Sequence, residues 1–254
     1  MPMLTISIIG SGALARSIFT AIRQENSLSC LGVYGRNLND AIYFKEYWKT
    51  DYQDVLDADI LLLALPDQVL TAHFDLLEKY NGLLAHCSGA TSLQFREKYP
   101  SAVLYPLNSF SKEKVTLFRD TPLFIEASSS EALTLLEKLA LRLSDHVHKI
   151  DSAQRLALHL AAVFSQNFTN HLFAQTQQWC AQSKIEFNWL KPMLTSKFKD
   201  AFELDASTIQ SGPAIRRDEK TLRQHRELLE GHVSLLEIYD TLTTSIQLFH
   251  EKKL

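Results

Sequence analysis

The chain has 254 residues, of which 46% are hydrophobic and 22% charged, and its formal net charge is -3. This is the composition of an ordinary globular protein with chain enough for one large core or two smaller ones, and it offers no basic footprint for nucleic acid. Cys30, Cys87 and Cys180 lie far apart with no Cys-x-x-Cys pairing, which excludes a disulfide framework and a zinc site. No apolar stretch approaches the roughly 20 residues that cross a bilayer.

Leu4-Thr5-Ile6-Ser7-Ile8-Ile9 is short, apolar and β-branched, the pattern of a buried strand, and residues 13–23 follow as a helix. Between them, Gly10-Ser11-Gly12-Ala13-Leu14-Ala15 spells G-x-G-x-x-A, the turn that brings a diphosphate against backbone amides at a helix N-terminus. Gly10 permits the tight turn, Gly12 leaves room for the phosphates, and Ala15 lets helix and strand pack closely. Set between a strand and a helix, the motif points strongly to a dinucleotide, with Gly10, Ser11, Gly12, Ala13 and Leu14 around its phosphates. The leading apolar run is too short for a signal peptide and ends in the glycine turn, so a cytoplasmic protein is expected.

Cys30-Leu31-Gly32-Val33-Tyr34 reads as a second strand ending at Gly35-Arg36-Asn37. In dinucleotide folds a carboxylate at this strand end binds the ribose 2′-OH of NAD, whereas an arginine accommodates the 2′-phosphate of NADP. Arg36 stands there, and a guanidinium pairs with phosphate through two parallel hydrogen bonds, so NADP is favoured over NAD. The other reading makes Arg36 a solvated loop residue.

Asp59-Ile60-Leu61-Leu62-Leu63-Ala64-Leu65 lacks polar alternation, as a central parallel strand buried on both faces requires. Leu65, Pro66 and Asp67 are expected at the carboxyl edge of the sheet, the first two beside the cofactor and Asp67 as a helix cap. Gly82 to Cys87 reads as the next strand, running into Ser88-Gly89. Neighbouring strand residues face opposite ways, so His86 is not placed to activate Cys87, and one of the two packs inside. Ser88 would lie by the nicotinamide. Runs at 102–106, 122–126 and 146–150, with a helix at 130–143, complete a mainly parallel, doubly wound sheet. Residues 1–150 are thus predicted to be an NADP-binding Rossmann domain.

From residue 151 the β-type runs stop, and 151–254 is predicted to be an all-α domain for substrate binding and dimerisation. The helix expected over 152–183 is apolar on nearly every side around residues 156–164, so protein must surround it, and a homodimer is expected. Counted at 100° per residue, His159, Gln166 and Asn170 fall near one line, with Asn167 further round. Buried polar groups need partners, which a ligand in a cleft, a satisfied core histidine or an amide network would each provide. Two shorter helices are expected over 186–203, broken near Pro192. Gln210-Ser211-Gly212-Pro213-Ala214-Ile215-Arg216-Arg217-Asp218 then precedes a last helical segment at 221–249, with Asp218 as its N-cap. Cations are unfavourable at a helix N-terminus, so Arg216 reads either as an anion-binding group, for a substrate carboxylate or cofactor phosphate, or as a solvated residue.

With both halves in view, the sequence resembles the Rossmann-like proteins with a C-terminal helical domain of unknown function, often described as deazaflavin-coenzyme-dependent NADP oxidoreductases. These are similar in turn to pyrroline-5-carboxylate reductase. The resemblance rests on Gly10 to Ala15, Gly35-Arg36, His86-Cys87-Ser88-Gly89-Ala90, Tyr105-Pro106-Leu107, Leu158 to Ala162 with Asn167, and Gly212-Pro213-Ala214-Ile215-Arg216. Two positions depart from it: relatives carry His-Pro-Leu at Tyr105 to Leu107, and Arg-Gly-Asp at Arg216 to Asp218. It implies the fold and the cofactor class; the function expected on them is an oxidoreductase moving a hydride between NADP and a small carbonyl or imine substrate bearing a carboxylate. His159 is the expected proton donor, with Tyr105 and Ser88 behind it, and Asn167, Asn170 and Arg216 are the expected substrate ligands. No metal is required. A protein that binds NADP without turnover, as a redox sensor, is the alternative.

Overall fold

The computed structural model describes residues 3–251 apart from 79, 95 and 97. The chain divides into two compact units, Met1–Gln166 and Asn167–Leu254. The division falls beyond residue 150 because the helix that follows is tied to the sheet by a buried arginine described below.

The first unit is built on an eight-stranded sheet of order β3-β2-β1-β4-β5-β6-β7-β8. Its strands are β1 Leu4–Ile9, β2 Leu28–Tyr34, β3 Trp48–Lys49, β4 Ile60–Leu63, β5 Leu83–His86, β6 Ser101–Pro106, β7 Leu123–Ala127 and β8 Val147–Lys149. The order from β3 through β6 is that of a Rossmann sheet, with the reversal of direction at β1 and β4. All four residues of β4 are fully buried, as expected for a strand covered on both faces. The mainly parallel sheet that was expected is found: β7 runs antiparallel to β6, pairing Ala102 with Ala127 and Pro106 with Leu123, and β8 is parallel to β7. The sheet is therefore mainly, not wholly, parallel. Apolar pattern specifies burial and not strand direction, so the reversal leaves no mark in the run at 122–126.

Helix α1 Ala13–Gln24 buries Ala15, Ile18, Phe19 and Ile22 against the sheet, and a short helix α2 Ala41–Phe44 buries Phe44 beside Phe19. Helix α3 Asp67–Leu76 begins at Asp67 itself, so this residue lies in the first turn and is not the cap expected of it. Helix α4 Ser130–Leu143 starts where Ser129 accepts a hydrogen bond from the Ala132 amide at 3.2 Å. Helix α5 Ser152–Ala162 opens with a capping box, in which Asp151 accepts from the Gln154 amide at 2.7 Å and Gln154 accepts from the Asp151 amide at 3.0 Å.

A π-helical stretch, Val163–Phe168, separates α5 from α6 Thr169–Gln182. A π turn takes in one residue more than an α turn, so a count at 100° per residue does not carry from His159 to Asn170. Leu156 and Leu160 are 51% and 55% exposed on the chain by itself, where a surrounded helix was expected.

The second unit continues through α7 Lys191–Glu203, α8 Glu219–Leu228 and α9 Val233–Glu251. Asp218 caps α8 by accepting from the Thr221 amide at 3.1 Å, as expected. The last segment is two helices rather than one, parted at Gly231, whose φ of 85° favours glycine. Among the described residues no helix is long and apolar enough to cross a membrane.

Candidate functional site

The turn after β1 is fixed by backbone contacts. The Gly10 amide donates to the Tyr34 carbonyl at 2.8 Å, and Gly10 has φ 126°, a region open chiefly to glycine. A Cβ on Gly10 would stand 2.2 Å from the Ala64 carbonyl oxygen, so the close approach of β1 to the end of β4 also demands glycine. Gly12 is the N-cap of α1 and provides no side-chain cap, and the first turn holds no acidic residue. A Cβ added to Gly12 would meet nothing within 4 Å. The first-turn amides of Ala13 and Leu14 have no acceptor within the helix, and they follow the open side of Gly12 where the strand order reverses, a place suited to an anionic diphosphate. Ser11, Arg36, Leu65 and Pro66 border the same groove, of about 410 Å³.

Sequence reasoning missed the charged cluster in this groove. Asp40, at the end of a 3-10 turn beyond β2, is buried, and its carboxylate accepts from Ser11 Oγ and Arg16 at 2.7 Å each. Lys112 Nζ, from the connection after β6, reaches it at 3.0 and 3.4 Å. Burial pushes the Asp40 carboxyl up, but the bonds from Ser11, Lys112 and Arg16 outweigh it and hold the group below its usual value. A Cβ on Gly35 would fall 2.7 Å from Ser11 Cβ, so the glycine at the tip of β2 is what lets Ser11 sit there. Arg36 is exposed on the groove wall and, among the described residues, has no ion pair.

A second cluster lies at the carboxyl edge of β5 and β6. Along that edge from β1 through β4 and β5 to β6 are three strand spacings, about 14 Å. Ser88 Oγ accepts from the amides of Ala90 (3.1 Å) and Thr91 (2.8 Å), closing a turn that presents Gly89. A Cβ on Gly89 would stand 2.7 Å from His159 Nδ1 and 2.9 Å from Tyr105 Cε2. The Tyr105 hydroxyl is 3.1 Å from His159 Nδ1, and the two rings meet edge to face at 6.0 Å. Burial raises the Tyr105 pKa, with Arg155 opposing, so the phenol keeps its proton at neutral pH. When that hydroxyl is the donor of the bond, a neutral His159 ring carries its proton on Nε2. Tyr105 and His159 are in contact over Gly89, the residue after Ser88.

Arg155, one helical turn before His159, is 1% exposed and was also missed. It is ion-paired to Glu126 on β7 and donates to the Thr91 carbonyl at 2.7 Å and to Ser152 Oγ at 3.2 Å. Ser152 Oγ in turn donates to Glu126 and accepts from the Leu93 amide at 2.9 Å. The base of α5 is thereby bound to the Ser88–Thr91 turn, which sets His159 over Gly89. His86 is fully buried, with Nδ1 accepting from the Ser88 amide and Nε2 donating to the Ser92 carbonyl, both at 3.2 Å. Desolvation, helped by Arg155, lowers its pKa to about 4, and burial pushes the Cys87 thiol up to about 12. Neither group is a nucleophile or its base at neutral pH.

The remaining expected ligands lie in the second unit. Asn167 is in the π stretch and Asn170 in α6, and both are exposed rather than buried. Arg216 is exposed in the turn before α8, where Arg217, at φ 52°, pairs with Glu251.

Residues 121–246 match the family described as a domain of unknown function, DUF2520. A Bacteroides fragilis protein provisionally described as an NADP oxidoreductase is 30% identical, with a TM-score of 0.83 over 96% of this chain and 98% of that one. Protein TM1727 from Thermotoga maritima is 19% identical, with a TM-score of 0.68 over 98% of this chain and 99% of that one. The pyrroline carboxylate reductase of Plasmodium falciparum, with NADP bound, is 8% identical, with a TM-score of 0.60 over 97% of this chain and 99% of that one. At those identities the last two share the fold. No curated protein matches the chain.

Proposed function

The chain belongs to the family of the Bacteroides fragilis protein and carries the DUF2520 domain, and we propose that it is an NADP-dependent oxidoreductase of small carbonyl or imine compounds bearing a carboxylate. The observation that carries this reading is the uncapped start of α1, open at Gly12, at the strand-order reversal beside Arg36. The description of the Bacteroides relative agrees with it. When bound, the reduced coenzyme supplies a hydride to the substrate carbon.

The chain's own groups supply the rest. The amides of Ala13 and Leu14 hold the diphosphate, and Arg36 meets the 2′-phosphate with its two-pronged guanidinium. His159 Nε2 gives a proton to the developing alkoxide or amine while Nδ1 takes the proton of the Tyr105 hydroxyl. Arg155 lies where its charge favours the resulting phenolate. Within the second unit, the exposed guanidinium of Arg216 and the amides of Asn167 and Asn170 are polar groups of the kind that bind a substrate carboxylate. The half-exposed apolar residues Leu156 and Leu160 on α5 support a homodimer that covers them.

Calorimetric titration with NADPH and NADH tests the coenzyme, and NADPH consumption against a panel of oxo acids and cyclic imino acids tests the reaction. Saturable binding, tighter for NADPH and weakened by Arg36→Ala, is expected, together with turnover of at least one panel member. Failure of both coenzymes to saturate at millimolar concentration would sink the proposal. Binding without any oxidation across the panel would remove its catalytic half.

A further inference from the structure

An acid just beyond β2 invites assignment as the ribose ligand of an NAD-binding turn, but Asp40 is already saturated. A carboxylate has about four acceptor sites. Oδ1 of Asp40 takes Arg16 and Lys112, and Oδ2 takes Ser11 Oγ and Lys112. No acceptor remains for a ribose hydroxyl. Two cations face this one acid, so the groove keeps an excess of positive charge next to Arg36, which has no ion pair among the described residues.

Of the two cations, Arg16 is the more enclosed, with 18% of its side chain exposed, while Lys112 is 46% exposed. Lys112 borders the same groove as Arg36, and a lysine is a point charge on a flexible stem with three donors, able to change partners at small cost. We infer that Lys112 is a specificity-determining residue, held in the groove by Asp40 and turning to the adenosine 2′-phosphate that Arg36 also meets. The coenzyme is thus selected by two cations on separate segments, one at the tip of β2 and one on the connection after β6. Asp40 acts as a positioning residue that keeps the second cation in reach.

The inference rests on the coenzyme reading above, and titration of the full chain separates the two. Wild type, Lys112→Met and Lys112→Arg are each titrated with NADPH and with NADH. Loss of one charge-assisted bond predicts about a tenfold weaker NADPH affinity for K112M, with NADH unchanged within about twofold and K112R close to wild type. If wild type prefers NADPH and K112M keeps the same NADPH-to-NADH ratio, the inference is overturned while the coenzyme reading stands. If wild type binds neither coenzyme, or both alike, the inference falls as well.

Discussion

The Tyr105 hydroxyl and His159 Nδ1 lie 3.1 Å apart, joining the end of β6 to α5 across 54 residues of chain. Removing the hydroxyl leaves both rings in place but takes away the second proton of the pair. Tyr105→Phe is therefore expected to lower kcat by about 10²-fold with coenzyme affinity unchanged. Burial raises the phenol pKa, so the donor form persists above the usual tyrosine range near 10, and any alkaline fall in kcat due to Tyr105 lies above that pH. Steady-state rates of Y105F near wild type would remove Tyr105 from the chemistry.

Gly89 touches no substrate in this reading, yet its missing side chain sets the pair. In Gly89→Ala the new methyl stands 2.7 Å from His159 Nδ1, and the imidazole has to move away from Tyr105. A stability loss of about 1–3 kcal/mol is expected in denaturant melts. The kcat defect should match that of Y105F. A folded G89A with full turnover would show that the contact is dispensable.

His86 makes the fold sensitive to mild acid. Its pKa is about 4 when folded and near 6.5 when unfolded, so below pH 6.5 the unfolded chain takes up the proton first. The stability is fully present above pH 6.5 and is lost as the pH falls towards 4, to the extent of about 3 kcal/mol. Denaturation midpoints measured from pH 7 to pH 4 should fall steeply for wild type and less steeply for His86→Asn. Parallel curves for the two proteins would show that another group carries the dependence.

Leu160 sits half exposed in the last turn of α5, on the surface assigned to a second copy. Leu160→Glu places a charge there that a closed apolar interface cannot accept. Sedimentation should show wild type as a dimer and L160E as a folded monomer that still binds NADPH. A monomeric wild type would refute the assignment.

Much of this was legible in the residues. The glycine turn announced itself because a tight bend and a close backbone approach both need glycine, and the structure shows both at Gly10. The capping acid Asp218 and the bounds of α4 were readable for the same reason, since caps and apolar period are local. Asp40, Lys112 and Arg155 were not readable. Each takes its meaning from a partner tens of residues away, Lys112 from Asp40 and Arg155 from Glu126, and no spacing along the chain signals such a pairing. The antiparallel β7 and the π stretch were missed because hydrophobic pattern records which side is covered, not strand direction or a change of helical pitch.

Gly35 has a bearing on protein engineering. It leaves the space in which Ser11 stands, and Ser11 is one of the three donors that occupy Asp40. Swapping a single charge at the strand tip would therefore leave Arg16 and Lys112 in place and their acid still occupied. A variant meant to accept the unphosphorylated dinucleotide has to redesign positions 11, 35, 36, 40 and 112 as one set.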